Sequence, residues 1–175
     1  MIPVISDSHI PRRAESIPDE FMRLLNESEL AVHCGDFVAE DYKGRLEQKT
    51  DLIAVKGNCD FFDLPSSQTF ERNGYKTGVY HGSGITPRGH YPTLLDVCEK
   101  LEVDILLHGH THRMEAVKKD GKLLLNPGSC TGVGGGSASP GNPTMLKLYF
   151  EAPIKVEKVE LKSGQLKTSE ETFNL

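Results

Sequence analysis

Four short apolar runs, each ending on a polar cluster, constrain this chain more than any other feature. They are "IPVIS" before "DSH" (2–9), "LAVH" before "CGD" (30–36), "DLIAV" before "KGNCD" (51–60) and "DILL" before "HGHTH" (104–112). Each run is the length of a strand, and the clusters hold aspartate, asparagine and histidine, which do not favour strand interiors. Between the first two runs, "PDEFMRLLNES" (18–28) reads as a helix. Pro18 suits a first turn, Asp19 and Glu20 suit its positive end, and Phe21, Leu24 and Leu25 form one apolar face. A polar helical segment around Asp41–Gln48 precedes the third run. The resulting βαβαβ rhythm predicts a parallel sheet with crossover helices. In such sheets ligands sit beyond the carboxyl ends of the strands, where all four clusters fall.

The rest of the chain is richer in strands. Asn73-Gly74 and Asp120-Gly121 each mark a hairpin between two β-like runs. "YPTLLDVCEKL" (91–101) reads as an amphipathic helix, and "TMLKLYFEAPIKVEKVELKSGQLK" supplies two or three more strands. The expected fold is α/β: two mixed β-sheets packed as a sandwich flanked by helices. No boundary or repeat is visible, so one domain over residues 1–175 is predicted. The closing "KVEKVELKSGQLK" alternates charged and apolar residues and reads as an exposed edge strand. "TGVGGGSASPGNP" (131–143) lacks the lysine of a phosphate loop and reads as a flexible surface loop that could border the site.

Composition excludes several classes. No run of about 18 apolar residues is present, so no membrane span is expected. The first ten residues lack the basic start and long apolar stretch of a signal peptide. The net charge of −5 gives no electrostatic footprint for nucleic acid. Cys34, Cys59, Cys98 and Cys130 are scattered without a C-x-x-C pair, which predicts reduced thiols and a cytoplasmic location.

Taken in order, the strand-end clusters contribute Asp7, His9, Asp36, Asn58, His81, His110 and His112. Singly each is weak, because a lone aspartate after glycine is usually a turn or cap residue. Together they offer too many oxygen and nitrogen donors for one ion and enough for two. Carboxylate and amide oxygens mixed with imidazoles suit manganese, iron, nickel or zinc. The i, i+2 spacing of Asp7 with His9 and of His110 with His112 is expected to turn both side chains of each pair to one side of an extended segment.

The ordered set D-x-H, G-D, G-N-x-D, His before Gly, and G-H-x-H resembles the calcineurin-like metallophosphoesterase superfamily. "GNCD" and "NPGS" (126–129) look most like its small YfcE-type phosphodiesterase branch. The resemblance implies the metallophosphoesterase fold and two divalent metal ions, with manganese the first choice and nickel, zinc or iron the alternatives. Asp7, His9, Asp36 and His112 would hold one ion. Asp36, Asn58, His81 and His110 would hold the other, with Asp36 as the shared bridge. It further implies hydrolysis of a small phosphodiester by a metal-bridging hydroxide, with Asp36, Asn58, Cys59 and His110 as the catalytic set. Cys59 is the departure: many superfamily members carry a histidine there, which the resemblance casts as the proton donor to the leaving group. A thiol is a poorer acid, which points to diesters with good leaving groups.

Two competing readings stand beside this one. The vacuolar-sorting subunit of retromer shares the fold and acts by binding partners, so a non-catalytic scaffold is the first. A phosphomonoesterase is the second. A homo-oligomer is carried over only as an expectation from the resemblance. His33 and His108 are read as core or supporting residues, and His90, Arg12, Arg13 and Arg88 as solvated residues near the site. Asp60 is read as a turn cap or as a residue that orients a ligand.

Overall fold

The computed structural model describes all residues, Met1–Leu175. Three helices and eleven strands alternate along the chain. In order they are β1 (Ile2–Ile5), α1 (Asp19–Asn26), β2 (Leu30–His33), α2 (Glu40–Glu47), β3 (Asp51–Ala54), β4 (Ser67–Arg72), β5 (Tyr75–Tyr80), α3 (Tyr91–Leu101), β6 (Ile105–His108), β7 (Met114–Lys119), β8 (Lys122–Pro127), β9 (Thr144–Tyr149), β10 (Ile154–Lys162) and β11 (Gln165–Phe173).

The strands form two mixed sheets. One has the order β11-β10-β9-β1-β2-β3, the other β4-β5-β6-β8-β7. Within the first, β1, β2 and β3 run parallel. Within the second, β5, β6 and β8 run parallel. β1 and β6 are buried on both faces, which is why their sequences are apolar runs rather than alternating ones. Val4, Val32, Leu146 and Val156 of the first sheet meet Val79, Ile105, Leu107 and Leu125 of the second in one apolar layer. Their sequence neighbours point the other way. Ile5, Ala31 and Ala54 pack under Phe21 and Leu25 of α1 and Leu46 of α2. Leu106 and Leu124 pack under Leu94 and Cys98 of α3. The result is the sandwich of two mixed sheets flanked by helices expected from the sequence. Each fully buried Leu, Ile, Val or Phe contributes about 1.5–3 kcal/mol.

Two expectations are corrected. The segment read as an edge strand is β10 plus the start of β11, and β10 lies inside the sheet between β9 and β11. Its alternation reports one wet and one dry face, not an unpaired edge. The edge strand on this side of the sheet is β11, and β3 forms the opposite edge. The glycine-rich stretch is not wholly a surface loop either. Gly132, Val133 and Gly134 are buried, and exposure begins at residues 136–142.

Candidate metal centre

Five strands deliver their following residues to one edge of the sandwich. Asp7 and His9 follow β1, Asp36 follows β2, Asn58–Asp60 follow β3, His81 follows β5, and His110 and His112 follow β6. The backbone does not reach the site by extended segments. Asp7, His9, Asp36, His110 and His112 all have positive φ, between +49° and +68°. The explanation of the i, i+2 pairs by strand alternation is therefore corrected: each pair sits on left-handed kinks just past its strand. Such conformations cost a non-glycine residue about 1–3 kcal/mol and gather at functional sites. Tertiary bonds hold them here: Asp7 N donates to Gly35 O and His9 N to Asp36 O, both at 3.0 Å.

The side chains converge closely. His112 Nε2 lies 3.2 Å from Asp7 Oδ1, and His9 Nε2 lies 3.5 Å from Asp36 Oδ2. His81 Nε2 lies 3.6 Å from Asp36 Oδ1 and 4.0 Å from Asp7 Oδ1. His9 Nε2 and His112 Nε2 are 3.3 Å apart. Three sets of donor atoms fall within 4.8 Å of one another: Asp7–His9–His112, Asp7–Asp36–His81 and His9–Asp36–Cys59. Asp7, Asp36 and His81 are buried.

The outer hydrogen bonds decide what these atoms can do. His81 Nδ1 lies 2.7 Å from Cys34 O, and His112 Nδ1 lies 2.7 Å from Val133 O. A carbonyl only accepts, so both Nδ1 atoms carry the proton and both Nε2 atoms present lone pairs to the cluster. Asp7 Oδ2 accepts from His110 N, but buried Asp7 Oδ1 and His81 Nε2 have no hydrogen-bond partner. Lone pairs thus face carboxylate oxygens at short range. Without a cation, extra protons relieve the arrangement: burial opposes it, but Asp36 and Asp7 raise the His81 imidazole, and Asp7 raises that of His112. Burial would also raise the carboxyls, yet His112 and His81 hold Asp7 low, and His81 holds Asp36 low. Orphaned buried donor atoms, fixed tautomers and mixed imidazole–carboxylate chemistry all fit divalent cations.

Two glycines make room. A Cβ on Gly57 would lie 2.2 Å from Asp36 Oδ1, and one on Gly109 would lie 2.1 Å from Ser6 Oγ and 2.9 Å from Asp7 Oδ2. Asp60 fixes the Gly57–Asp36 approach. Its Oδ2 accepts from Asp36 N at 2.9 Å and Gly57 N at 2.8 Å, and its Oδ1 accepts from Val38 N at 2.8 Å.

The other predicted residues fall at the margin. Asn58 is exposed, with its amide nitrogen 3.4 Å from Cys59 Sγ. Its side-chain oxygen is the atom left for a cation. His110 stands edge-on to His81, ring centres 5.2 Å apart, and belongs to none of the three donor sets. Burial and the charges of His81 and Arg88 lower its imidazole to about 4. Burial and Asp36 push the Cys59 thiol up to about 12, so it stays protonated.

His33 and His108 are buried supports, as expected. His33 Nδ1 accepts from Gly35 N, its Nε2 meets Ser8 Oγ at 3.2 Å, and its ring stacks on Phe37. His108 Nδ1 accepts from Asn126. Arg13 donates to Gly134 O, and His90 Nδ1 pairs with Thr93 Oγ1. The residues that orient the imidazoles do so through the backbone carbonyls of Cys34 and Val133, which no side-chain pattern signals.

A sandwich of mixed sheets with an Asp–His cluster at the carboxyl ends of its parallel strands is the metallophosphoesterase fold class. Residues 1–148 match the calcineurin-like phosphoesterase superfamily domain, and the chain belongs to that family. It is 37% identical over 131 residues to a probable metallophosphoesterase of Methanocaldococcus jannaschii, covering 75% of this chain and 68% of that protein. It is equally identical, at 37% over 134 residues, to one of Methanothermobacter thermautotrophicus, covering 75% of this chain and 77% of the other. Among solved structures, wild-type Vps29 of Entamoeba histolytica complexed with zinc superposes with a TM-score of 0.88 at 29% identity over 99% of both chains. A predicted phosphoesterase of Streptococcus pneumoniae superposes with a TM-score of 0.73 at 24% identity over 97% of each, which speaks to fold alone.

Proposed function

We propose that this protein is a metal-dependent phosphodiesterase acting on a small diester. The observation that carries the reading is the buried meeting of Asp7, Asp36, His81 and His112 with two donor atoms left unpartnered. Asp7, His9, Asp36 and His112 would hold one divalent ion, and Asp36, Asn58, His81 and His110 a second, with Asp36 shared. Manganese is the first choice, with nickel, zinc and iron as alternatives. Such a pair supplies Lewis-acid polarisation of a phosphoryl oxygen and a water acidified towards neutral pH.

The chain's own groups do the positioning. Cys34 O and Val133 O keep His81 and His112 in the tautomer that presents Nε2. Asp60 holds the Asp36 and Gly57 backbones against each other. In the hydrolysis, a water oxygen gives up a proton and forms the new P–O bond, the ester P–O bond breaks, and the departing oxygen takes a proton in return, so that water is consumed and the alcohol leaves neutral. Cys59 Sγ lies beside His9 and Asp36. A thiol is a poorer proton donor than the imidazolium found there in many relatives, so diesters whose alcohol leaves without help are the preferred class.

A second reading, a partner-binding scaffold, is favoured by shape: Vps29 of Entamoeba histolytica superposes with a TM-score of 0.90. Metal binding alone does not separate the two readings, because Vps29 of Entamoeba histolytica is itself complexed with zinc; turnover does. The deciding assay strips the full chain with chelator, restores manganese, nickel or zinc, and compares bis-p-nitrophenyl phosphate with p-nitrophenyl phosphate. Faster metal-dependent diester cleavage is expected. Faster monoester cleavage would favour a monoesterase, and no turnover of either would favour the scaffold.

A further inference from the structure

A second feature adjoins the cluster and has no part in it. A cavity of about 360 Å³ opens between three loops and is lined by Arg88, Tyr91, Thr111, Arg113 and Glu115. Thr111 lies between candidate ligands His110 and His112, so the cavity borders the site directly. Its volume falls within the range of small-molecule sites, about 300–1,000 Å³.

Two glycines keep the space open. A Cβ on Gly89 would lie 3.0 Å from Thr111 Cγ2, and one on Gly135 would lie 3.3 Å from the His112 ring. The charges are uneven. Neither guanidinium is ion-paired, whereas Glu115 is engaged: its Oε2 accepts from Tyr91 OH at 3.2 Å and its Oε1 lies 3.6 Å from His108 Nε2. Two free guanidinium forks therefore face one occupied carboxylate. Unpaired arginines in a cleft suit phosphate oxygens, which they bind in bidentate geometry.

We propose that the Arg88–Arg113 cavity is a subsite for a second phosphate on the substrate, so that the preferred class is a phosphodiester bearing a further phosphate group. The inference rests on the phosphodiesterase reading and narrows it. Thr111 Oγ1, which accepts from Arg113 N and Asn126 Nδ2, keeps its own hydrogen to donate beside the two charges. The scissile group sits against the Asp–His cluster while the second phosphate occupies the cavity.

The test compares two substrates with the same scissile bond and leaving group: thymidine 5′-(p-nitrophenyl phosphate) and its 3′-phosphorylated form. With the full chain and manganese, kcat/KM is expected to be at least tenfold higher for the phosphorylated form. In Arg88→Gln/Arg113→Gln that ratio is expected to fall about tenfold or more, mainly through KM. The ratio is also expected to shrink as salt rises, because exposed charges are screened. Equal kcat/KM values, or a ratio unchanged in the double variant, would overturn the subsite and leave the diesterase reading standing. If no diester is turned over, the diesterase reading fails. Calorimetric binding of thymidine 3′,5′-bisphosphate against thymidine 5′-phosphate then decides the cavity alone. Tighter bisphosphate binding that the double variant abolishes would uphold it, and equal binding would overturn it.

Discussion

Mild acidification of the metal-free protein should weaken it through two histidines beneath the site. His33 and His108 are buried, and burial lowers their imidazoles to about 3 and about 4 from an ordinary 6.5. In the unfolded chain both take up a proton near 6.5, while in the folded chain both stay neutral until far lower pH. The unfolded state therefore binds more protons between these values. Stability is full above the unfolded value and is lost as pH falls. Between pH 6.5 and about pH 5, each group loses about 1.6 kcal/mol, or about 3 kcal/mol for the pair. That is a large share of a typical stability of about 5–15 kcal/mol. His110, also lowered to about 4, and His9, also lowered, add to the loss in the same direction. His81 and His112, raised above 6.5, oppose the loss slightly, until the unfolded chain is fully protonated. Asp7 and Asp36, held low, cost stability only as pH nears the unfolded carboxyl value of 3.8. Asp60, raised by burial, opposes the loss in part. Urea unfolding in chelator at the two pH values measures the difference. His33→Asn and His108→Asn, which keep an acceptor near Nδ1 and cannot titrate, should each remove about 1.6 kcal/mol of the loss. A midpoint that does not move, or a pH dependence unchanged in both variants, would refute the reasoning.

Two further outcomes follow from single contacts. Asp60→Ala leaves the Asp36 and Gly57 N–H groups without their acceptor. The expected loss is about 3 kcal/mol, measured by urea unfolding, with weaker manganese binding by calorimetry because the Asp36 loop loosens. Cys59→His restores a better acid at the position beside His9 and Asp36. Hydrolysis of alkyl diesters with poor leaving groups should rise about tenfold or more, within the range of general-acid effects, while bis-p-nitrophenyl phosphate changes little.

Local signals made much of the fold legible. The Asn73-Gly74 and Asp120-Gly121 turns sit in the predicted hairpins, and α3 spans Tyr91–Leu101 as read, with Pro92 in its first turn. The place of β10 inside the sheet was not legible, because side-chain alternation reports faces and not neighbours. The site was legible as a set of residue types at strand ends. Its geometry was not: Asp7, His9, Asp36, His110 and His112 adopt left-handed backbone that their own identities disfavour, held by bonds to residues far along the chain. The inner part of the glycine-rich stretch was hidden for the same reason. Composition suggests mobility there, but Val133 O and Gly134 O accept from His112 and Arg13.

Counting metal ions tests the central claim most directly. Chelator-stripped full chain is titrated with manganese in a calorimeter, and the bound metal is counted after desalting. Two ions per chain are expected for the native protein, with binding of both weakened by Asp36→Ala. A ratio of one or none, or binding that Asp36→Ala leaves untouched, would contradict a paired cation site bridged by Asp36.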